Sequence, residues 1–496
     1  MNSVSSIHDL KTLILSFHPV IVIETVEEQR VQMLLKKVAK ELHLPLYEWT
    51  VTRGLCKNNH CVSLEETYKP AEVLDYLERA EIEAIFWLKD FGQYLKDSAL
   101  KRQFREVTQQ FNPINSTIIL TGATIDVPEA IIPDAAYYQL KLPNTKELYQ
   151  VFSTVVKSLR ANHSVSINLN SKDVEKLLQA LKGMTLNQAR QAIAYAALVD
   201  GKLSPADIGL VQERKMAMIR DGGLLEYYPE GENRHQLGGF SRLKTWLTLA
   251  KIGFSRQAKQ LNLDPPKGIL LVGIQGCGKS LAAKAIARQW HLPLLKLDAA
   301  RLYDKYIGES EKNFYRAIAI AESMAPIVLW IDELEKGFGN ISNTSSDGGI
   351  SRRLFGNFLM WLQEKRKEVF VVATANDVFN LPPELLRKGR FDEIFFVDLP
   401  NPQERAEIFK IHLSVRKQNP RKFDLKLLVA ESVGFGGAEI EQAIISALYR
   451  SLHLQVTLDT SLLLTAIRET IPLSISRRED IEKLRKMASD RFVNVR

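Results

Sequence analysis

Cysteine is scarce: the chain of 496 residues has three, Cys56, Cys61 and Cys277. Three thiols cannot build a disulfide framework, which points to a reducing compartment. Cys56, His60 and Cys61 lie close together, but a further ligand at zinc-like spacing is lacking, so no zinc site is expected there. Long hydrophobic runs are lacking too; none approaches the ~20 residues of a membrane-spanning helix. The N-terminal stretch carries an early acid, Asp9, and has neither a secretory core nor an arginine-rich transit character. The chain is therefore expected to be made where it works. Charge of one sign does not dominate: Lys and Arg number 66 against 58 Asp and Glu, a formal charge of +8. That balance compels neither nucleic acid nor membrane as a partner. The absence of a His-Glu-x-x-His sequence argues against a fused zinc protease.

What is there is organised around one stretch, Gly273, Ile274, Gln275, Gly276, Cys277, Gly278, Lys279 and Ser280, which fits G-x-x-x-x-G-K-[ST]. The apolar run Ile269–Val272 before it reads as a buried strand, and Leu281–Arg288 after it is built of good helix formers. Strand, glycine loop and helix together form a phosphate cradle: glycines let backbone N–H groups curl around an anion, and the helix N-terminus adds partial positive charge. In such a loop Lys279 would bridge the β and γ phosphates of ATP, and Ser280 would ligate Mg2+.

The grammar of this region recurs upstream. His43-Leu-Pro-Leu46 repeats as His291-Leu-Pro-Leu294. Ile85–Asp90 matches Ile327–Asp332, Thr117–Gly122 parallels Phe370–Ala375, and Leu142–Glu147 parallels Leu399–Glu404. Gly183 and Gln191–Ile193 parallel Gly434 and Gln442–Ile444. The two copies differ where chemistry would happen. In place of the glycine loop the first has Glu24–Arg30, without glycine and with Glu27 and Glu28 set to repel phosphate. Asp90 is followed by Phe91 rather than an acid. The first copy thus reads as a non-hydrolysing unit with structural, regulatory or substrate-binding duty.

Around the loop, Ile327–Ile331 form an apolar strand that delivers Asp332 and Glu333 to its C-terminal end, where open α/β sheets bind ligands. Asp332 would hold Mg2+, and Glu333 would orient and deprotonate the attacking water. Asn376 ends the next buried strand, within reach of the γ-phosphate or that water. Arg387 and Arg390 flank a glycine turn and, if exposed, could reach a phosphate in a neighbouring subunit.

Together Gly273–Ser280, Ile331-Asp-Glu333, Asn376 and Arg387–Arg390 resemble the AAA family of ATPases. Leu237, Gly238 and Gly239 resemble the family's adenine-contacting segment, and Gly434–Glu439, with Gly437 and Ala438, its lid motif beside the nucleotide. The resemblance covers about residues 236–450. It implies an ATPase core with a helical lid, working as a homo-oligomeric ring, often a hexamer, with Arg387 and Arg390 at the positions of fingers acting in trans. Ile274 and Gln275 replace the family's usual Pro-Pro, and Cys277 its usual Thr. Cys277 would make activity oxidation-sensitive if its thiolate were accessible. More narrowly, Ile23–Glu28, Gly273–Ser280, Asp347–Gly349 and Pro383–Phe396 resemble AAA-domain proteins encoded in algal plastid genomes and cyanobacteria. That implies a plastid stroma or a bacterial cytoplasm.

The expected fold class is α/β: a P-loop AAA core of parallel sheet flanked by helices with a C-terminal helical lid, preceded by a degenerate AAA-like unit with its own helical subdomain. The expected boundaries are 1–140 for the degenerate α/β domain, 141–205 for its helical subdomain and 206–235 for a helical linker, with Tyr227–Asn233 as exposed chain. Residues 236–400 then form the ATPase core and 401–496 the lid and C-terminal helices. Tyr306, Ile307 and Gly308 lie where remodelling members of the family carry a pore loop that grips extended polypeptide. The lesser alternative is that Tyr306 packs against its own domain. The glycine- and serine-rich 337–349 stretch is a candidate second pore element. Two function classes follow: an ATP-driven remodeller of a protein complex, or an ATP-dependent switch or nucleic-acid machine. The basic clusters are short, such as Lys365-Arg-Lys367, and do not by themselves indicate nucleic acid.

Overall fold

A computed structural model describes residues 2–57, 67–163, 165–221, 223–229, 237–299, 309–338, 350–387 and 389–496. His60, Cys61, Tyr306, Ile307, Gly308 and the 339–349 part of the glycine-rich stretch, with Asp347–Gly349, lie outside the described residues. The chain forms two compact units, Met1–Asn168 with Met184–Leu203, and Leu169–Gly183 with Ser204–Arg496.

The first unit is built on β1 (Val20–Glu24), β2 (Leu46–Thr50), β3 (Gly54–Lys57), β4 (Ile85–Lys89), β5 (Thr117–Gly122) and β6 (Ala135–Tyr137), in the order β3-β2-β4-β5-β1-β6. All neighbours are parallel except β2 and β3. Its strands read as unbroken apolar runs because both faces are covered. Val20, Val22, Phe86, Leu88, Ile118 and Leu120 enter one core, while the alternate residues Ile21, Ile23, Ile85, Trp87 and Ile119 enter another. A short parallel pair, β7 (Ser166–Ile167) and β8 (Lys202–Leu203), joins the helical part. There Thr185 caps helix Leu186–Leu198, its hydroxyl accepting from Gln188 N–H.

The second unit holds β9 (Leu225–Tyr228), β10 (Gly268–Gly273), β11 (Leu294–Asp298), β12 (Ile327–Asp332), β13 (Val369–Ala375), β14 (Glu393–Val397) and β15 (Val493–Asn494). Their order is β15-β14-β10-β13-β12-β11-β9. Tyr227 and Tyr228, expected in exposed linker, instead form part of β9, antiparallel to β11, with Tyr227 buried. The alternation of Leu225 and Tyr227 inward supplies the edge strand that the polar residues after them had obscured. Helices Pro402–Val415, Leu425–Glu431, Gly437–His453 and Thr460–Glu469 pack around their own core of Phe409, Leu413, Ile440, Ile444 and Leu463. The chain then returns to the sheet through helix Arg478–Arg491 and β15, which the sequence pattern had read as helix alone.

The parallel cores of both sheets have one order, β2-β4-β5-β1-β6 in the first and β11-β12-β13-β10-β14 in the second. Register refines the internal match. If Thr117 corresponds to Phe370, Ile119 corresponds to Val372; Trp87 lies opposite Ile119 and Trp330 opposite Val372. Trp87 therefore corresponds to Trp330, and Ile85 to Val328 rather than Ile327. The pairings of Leu46 with Ile85 and of Leu294 with Val328 give the same offset. A slip of one residue would exchange the faces of the strand, so only this register keeps the buried faces aligned. It places Lys89 where the second copy has Asp332, and Asp90 where it has Glu333. Asp90 and Glu333 share a left-handed backbone, φ 53° and 50°. The kink persists in a copy that lacks the acidic pair, so it belongs to the strand end itself rather than to any chemistry there.

Candidate functional site

β10 is buried along its whole length and ends in Gly273, where an added Cβ would lie 2.0 Å from the Val397 carbonyl oxygen. No side chain fits between these strands. The loop turns through Gly276 and Gly278, at φ 76° and 93°, conformations that glycine adopts without steric cost. Helix Lys279–Trp290 begins directly after Gly278, so its first N–H groups face the loop. Lys279 is buried and folds back, its Nζ donating to the carbonyls of Gly273 and Ile274 at 2.7 and 2.8 Å. Burial pushes its ammonium down to about 8, opposed by the nearby carboxylates of Glu335, Asp332 and Glu333.

β12 and β13 bring the polar groups together. Asp332 Oδ1 accepts from Ser280 Oγ at 3.2 Å and from Thr374 Oγ1 at 2.6 Å. Thr374 Oγ1 in turn accepts from Glu333 N–H at 3.1 Å. Asn376 Nδ2 donates to Glu333 Oε1 at 3.1 Å, and Lys336 Nζ stands 2.6 Å from Glu333 Oε2. Glu335 Oε1 accepts from Asn376 N–H at 3.0 Å, and burial raises its carboxyl above the usual range. The lid helix touches the loop directly: Ala438 N–H donates to the Gly276 carbonyl at 3.0 Å.

These groups surround a cavity of about 430 Å³. Of the residues singled out in the sequence, Leu237, Gly238, Gln275, Gly276, Cys277, Gly278, Lys279, Ser280, Asp332, Glu333, Asn376, Gly437 and Ala438 line it. Gly273 and Ile274 lie behind it as acceptors for Lys279. Arg387 is exposed and Arg390, half-buried, donates to Gln363; neither lines the cavity. Cys277 is buried, and burial pushes its thiol up to about 12. The condition for oxidation sensitivity, an accessible thiolate, is therefore not met in this conformation.

Sequence reading passed over Thr374, Glu335, Lys336, His412, Glu441 and Arg496. Thr374 did leave a signal, as the one polar residue in the buried run Val369–Ala375. His412 and Glu441 line the cavity from two lid helices, with Arg416 Nη2 donating to Glu441 Oε1 at 2.7 Å. Burial, reinforced by Arg416, keeps the His412 ring below its usual range although Glu441 opposes this. Nothing local in the sequence predicts that meeting.

Chemically, the site offers an anion cradle of backbone N–H groups beside a buried ammonium. Next to it the hydroxyl of Ser280 and the carboxylate of Asp332 are hard oxygen donors of the kind Mg2+ takes. A second carboxylate, Glu333, is held by Asn376 and Lys336 at the edge of the same cavity.

The chain belongs to the AAA ATPase family: residues 269–399 match the model of the ATPase family associated with various cellular activities. Residues 6–140 and 146–222 match the N-terminal and second domains of SpoVK-like AAA ATPases. Within that family it is 35% identical to the uncharacterized AAA domain-containing protein ycf46 of Guillardia theta, over 98% of this chain and 95% of the relative. It is 38% identical to the ycf46 protein of Trieres chinensis, over 97% and 96%. A proteasome-activating nucleotidase of Pyrococcus furiosus is 34% identical over 37% of this chain and 46% of its own length.

Proposed function

We propose that the protein is an ATP-hydrolysing AAA ATPase that assembles as a ring, by family habit a hexamer, and uses hydrolysis to remodel a protein or protein complex. The observation that carries the hydrolytic part is the linked set Ser280–Asp332–Thr374–Glu333–Asn376 at the mouth of the glycine loop. Lys279 takes the phosphates in exchange for the carbonyls it now holds. Ser280 and Asp332 would hold Mg2+, which supplies charge neutralisation on the phosphate oxygens when bound. Glu333 accepts the proton of the attacking water, and Asn376 fixes the direction of its carboxylate.

Arg387 and Arg390 serve the nucleotide of the next subunit; that neither lines the cavity of its own chain supports this. Tyr306 and Ile307 grip an unfolded segment of the substrate. The similarity of the core to a proteasome-activating nucleotidase supports a polypeptide as the cargo. The N-terminal copy, with Lys89 in the place of Asp332, neither hydrolyses nor binds nucleotide. Among the described residues no helix is long and apolar enough to cross a membrane. We place the protein in a plastid stroma, or in the cytoplasm of a bacterium, as the likeness to ycf46 proteins implies.

Affinity capture with Glu333→Gln in the presence of ATP tests the remodelling role. A defined protein retained with ATP, and lost on Tyr306→Ala, supports it. A trap that retains the same proteins with and without Tyr306 contradicts the gripping loop. Retention of nucleic acid in place of protein contradicts the choice of cargo.

A further inference from the structure

One wall of the cavity comes from far along the chain. β15 runs parallel to β14, with Val493 opposite Phe395 and Asn494 opposite Phe396, and this carries Val495 and Arg496 into the lining. Backbone bonds fix the segment. Val495 N–H donates to the Phe396 carbonyl at 3.2 Å, and the Val495 carbonyl accepts from Arg242 and Leu243 N–H at 3.0 and 3.2 Å. Those two donors open helix Ser241–Ala250, immediately after the Leu237–Phe240 side of the cavity. The helix before β15 is tied down as well: Arg485 donates to Asp398 Oδ1 from Nη2 at 2.8 Å and from Nε at 3.0 Å.

The guanidinium of Arg496 is only partly used. One terminal nitrogen donates to the Leu399 carbonyl. Its Nε is buried without a hydrogen-bond partner, because the nearest carboxylate oxygen, on Glu404, stands 3.8 Å away. That nitrogen is closed to the cavity as well, but the other terminal nitrogen, Nη1, is accessible and makes no hydrogen bond among the described residues. Leu237, Phe240, Pro400 and Ile408 give the cavity an apolar lining beside Glu404 and Arg496, whereas Ser280 and Asp332 meet at the glycine loop. Apolar side chains beside a planar cation suit a purine ring, which offers a π-face and acceptor nitrogens.

We infer that Arg496 is a nucleobase contact, delivered to the site by β15, so that the Val493–Arg496 segment reads the base end of the bound nucleotide. This rests on the reading of the cavity as the nucleotide site, and the two can fail separately. The test is calorimetric binding of ATP, ADP and inorganic tripolyphosphate to the wild-type chain, Arg496→Ala and Arg496→Lys, with thermal melting to confirm the fold. The inference predicts that Arg496→Ala weakens ATP and ADP by about tenfold, the worth of one cation–π or charged hydrogen-bond contact. Tripolyphosphate, which has no base, should bind all variants equally, and Arg496→Lys should recover only part of the loss. Equal losses for tripolyphosphate and ATP, or no loss for ATP, would overturn the inference. A wild-type chain that binds no nucleotide at all would overturn the nucleotide site itself.

Discussion

Helix Ile208–Asp221 turns the Lys215 side chain into the protein interior, its Nζ 4.5 Å from the centre of the Tyr227 ring. Burial, with Lys182 nearby, pushes it down to about 7 from 10.5. Between those values the unfolded chain binds the additional proton, so stability rises with pH across that window and the cost of burial is constant below it. The change is at most about 1.4 kcal/mol per pH unit. Lys215→Met should therefore raise the melting temperature at pH 6.5, with an advantage that shrinks steadily towards pH 10; melts at four pH values would check it. Cys277 makes the opposite kind of statement. With its thiol held near 12, native protein at pH 8 should resist iodoacetamide at this position and react only on unfolding, as peptide mapping would report.

Among the elements, the most instructive is the loop that replaces the glycine cradle in the first copy. Arg30 is buried there between Glu27 and Glu147, 3.3 Å from each, and the Glu27 carboxylate accepts from Leu186 N–H at the start of a lid-like helix. An internal carboxylate thus occupies a helix N-terminus, the kind of place where the second copy is proposed to hold phosphate. Arg30→Ala strands two partly buried carboxylates and should destabilise the first unit by about 3 kcal/mol, read from urea denaturation. The elements were legible in the sequence in proportion to their periodicity. Unbroken apolar runs announced β1, β4, β10, β12 and β13, and the glycine pattern announced the cradle. Edge strands β9 and β15 were not legible, because four residues, Leu225–Tyr228, and two, Val493–Asn494, carry too short an alternation. Nor did any pattern fix the register of β4, where two apolar residues in succession hid a slip that pairing with β2 and β5 resolves. In the site, loop and strand-end residues could be read from spacing. His412, Glu441 and Arg496 could not, since tertiary packing alone brings them to the cavity.

Across the whole chain, two sheets whose parallel cores share one order differ in the residues at their strand ends. One holds the cradle and the acidic pair; in the other, register sets a lysine and a single acid in their places. The proposed account therefore has one nucleotide per chain, so Lys279→Ala should reduce binding stoichiometry from one to none in equilibrium dialysis. Whether Glu333 drives hydrolysis at this single site is read from steady-state phosphate release with ATP and Mg2+, comparing wild type with Glu333→Gln. Glu333→Gln should bind ATP as tightly as wild type while turnover falls by about a hundredfold or more. Hydrolysis by Glu333→Gln at the wild-type rate would contradict it.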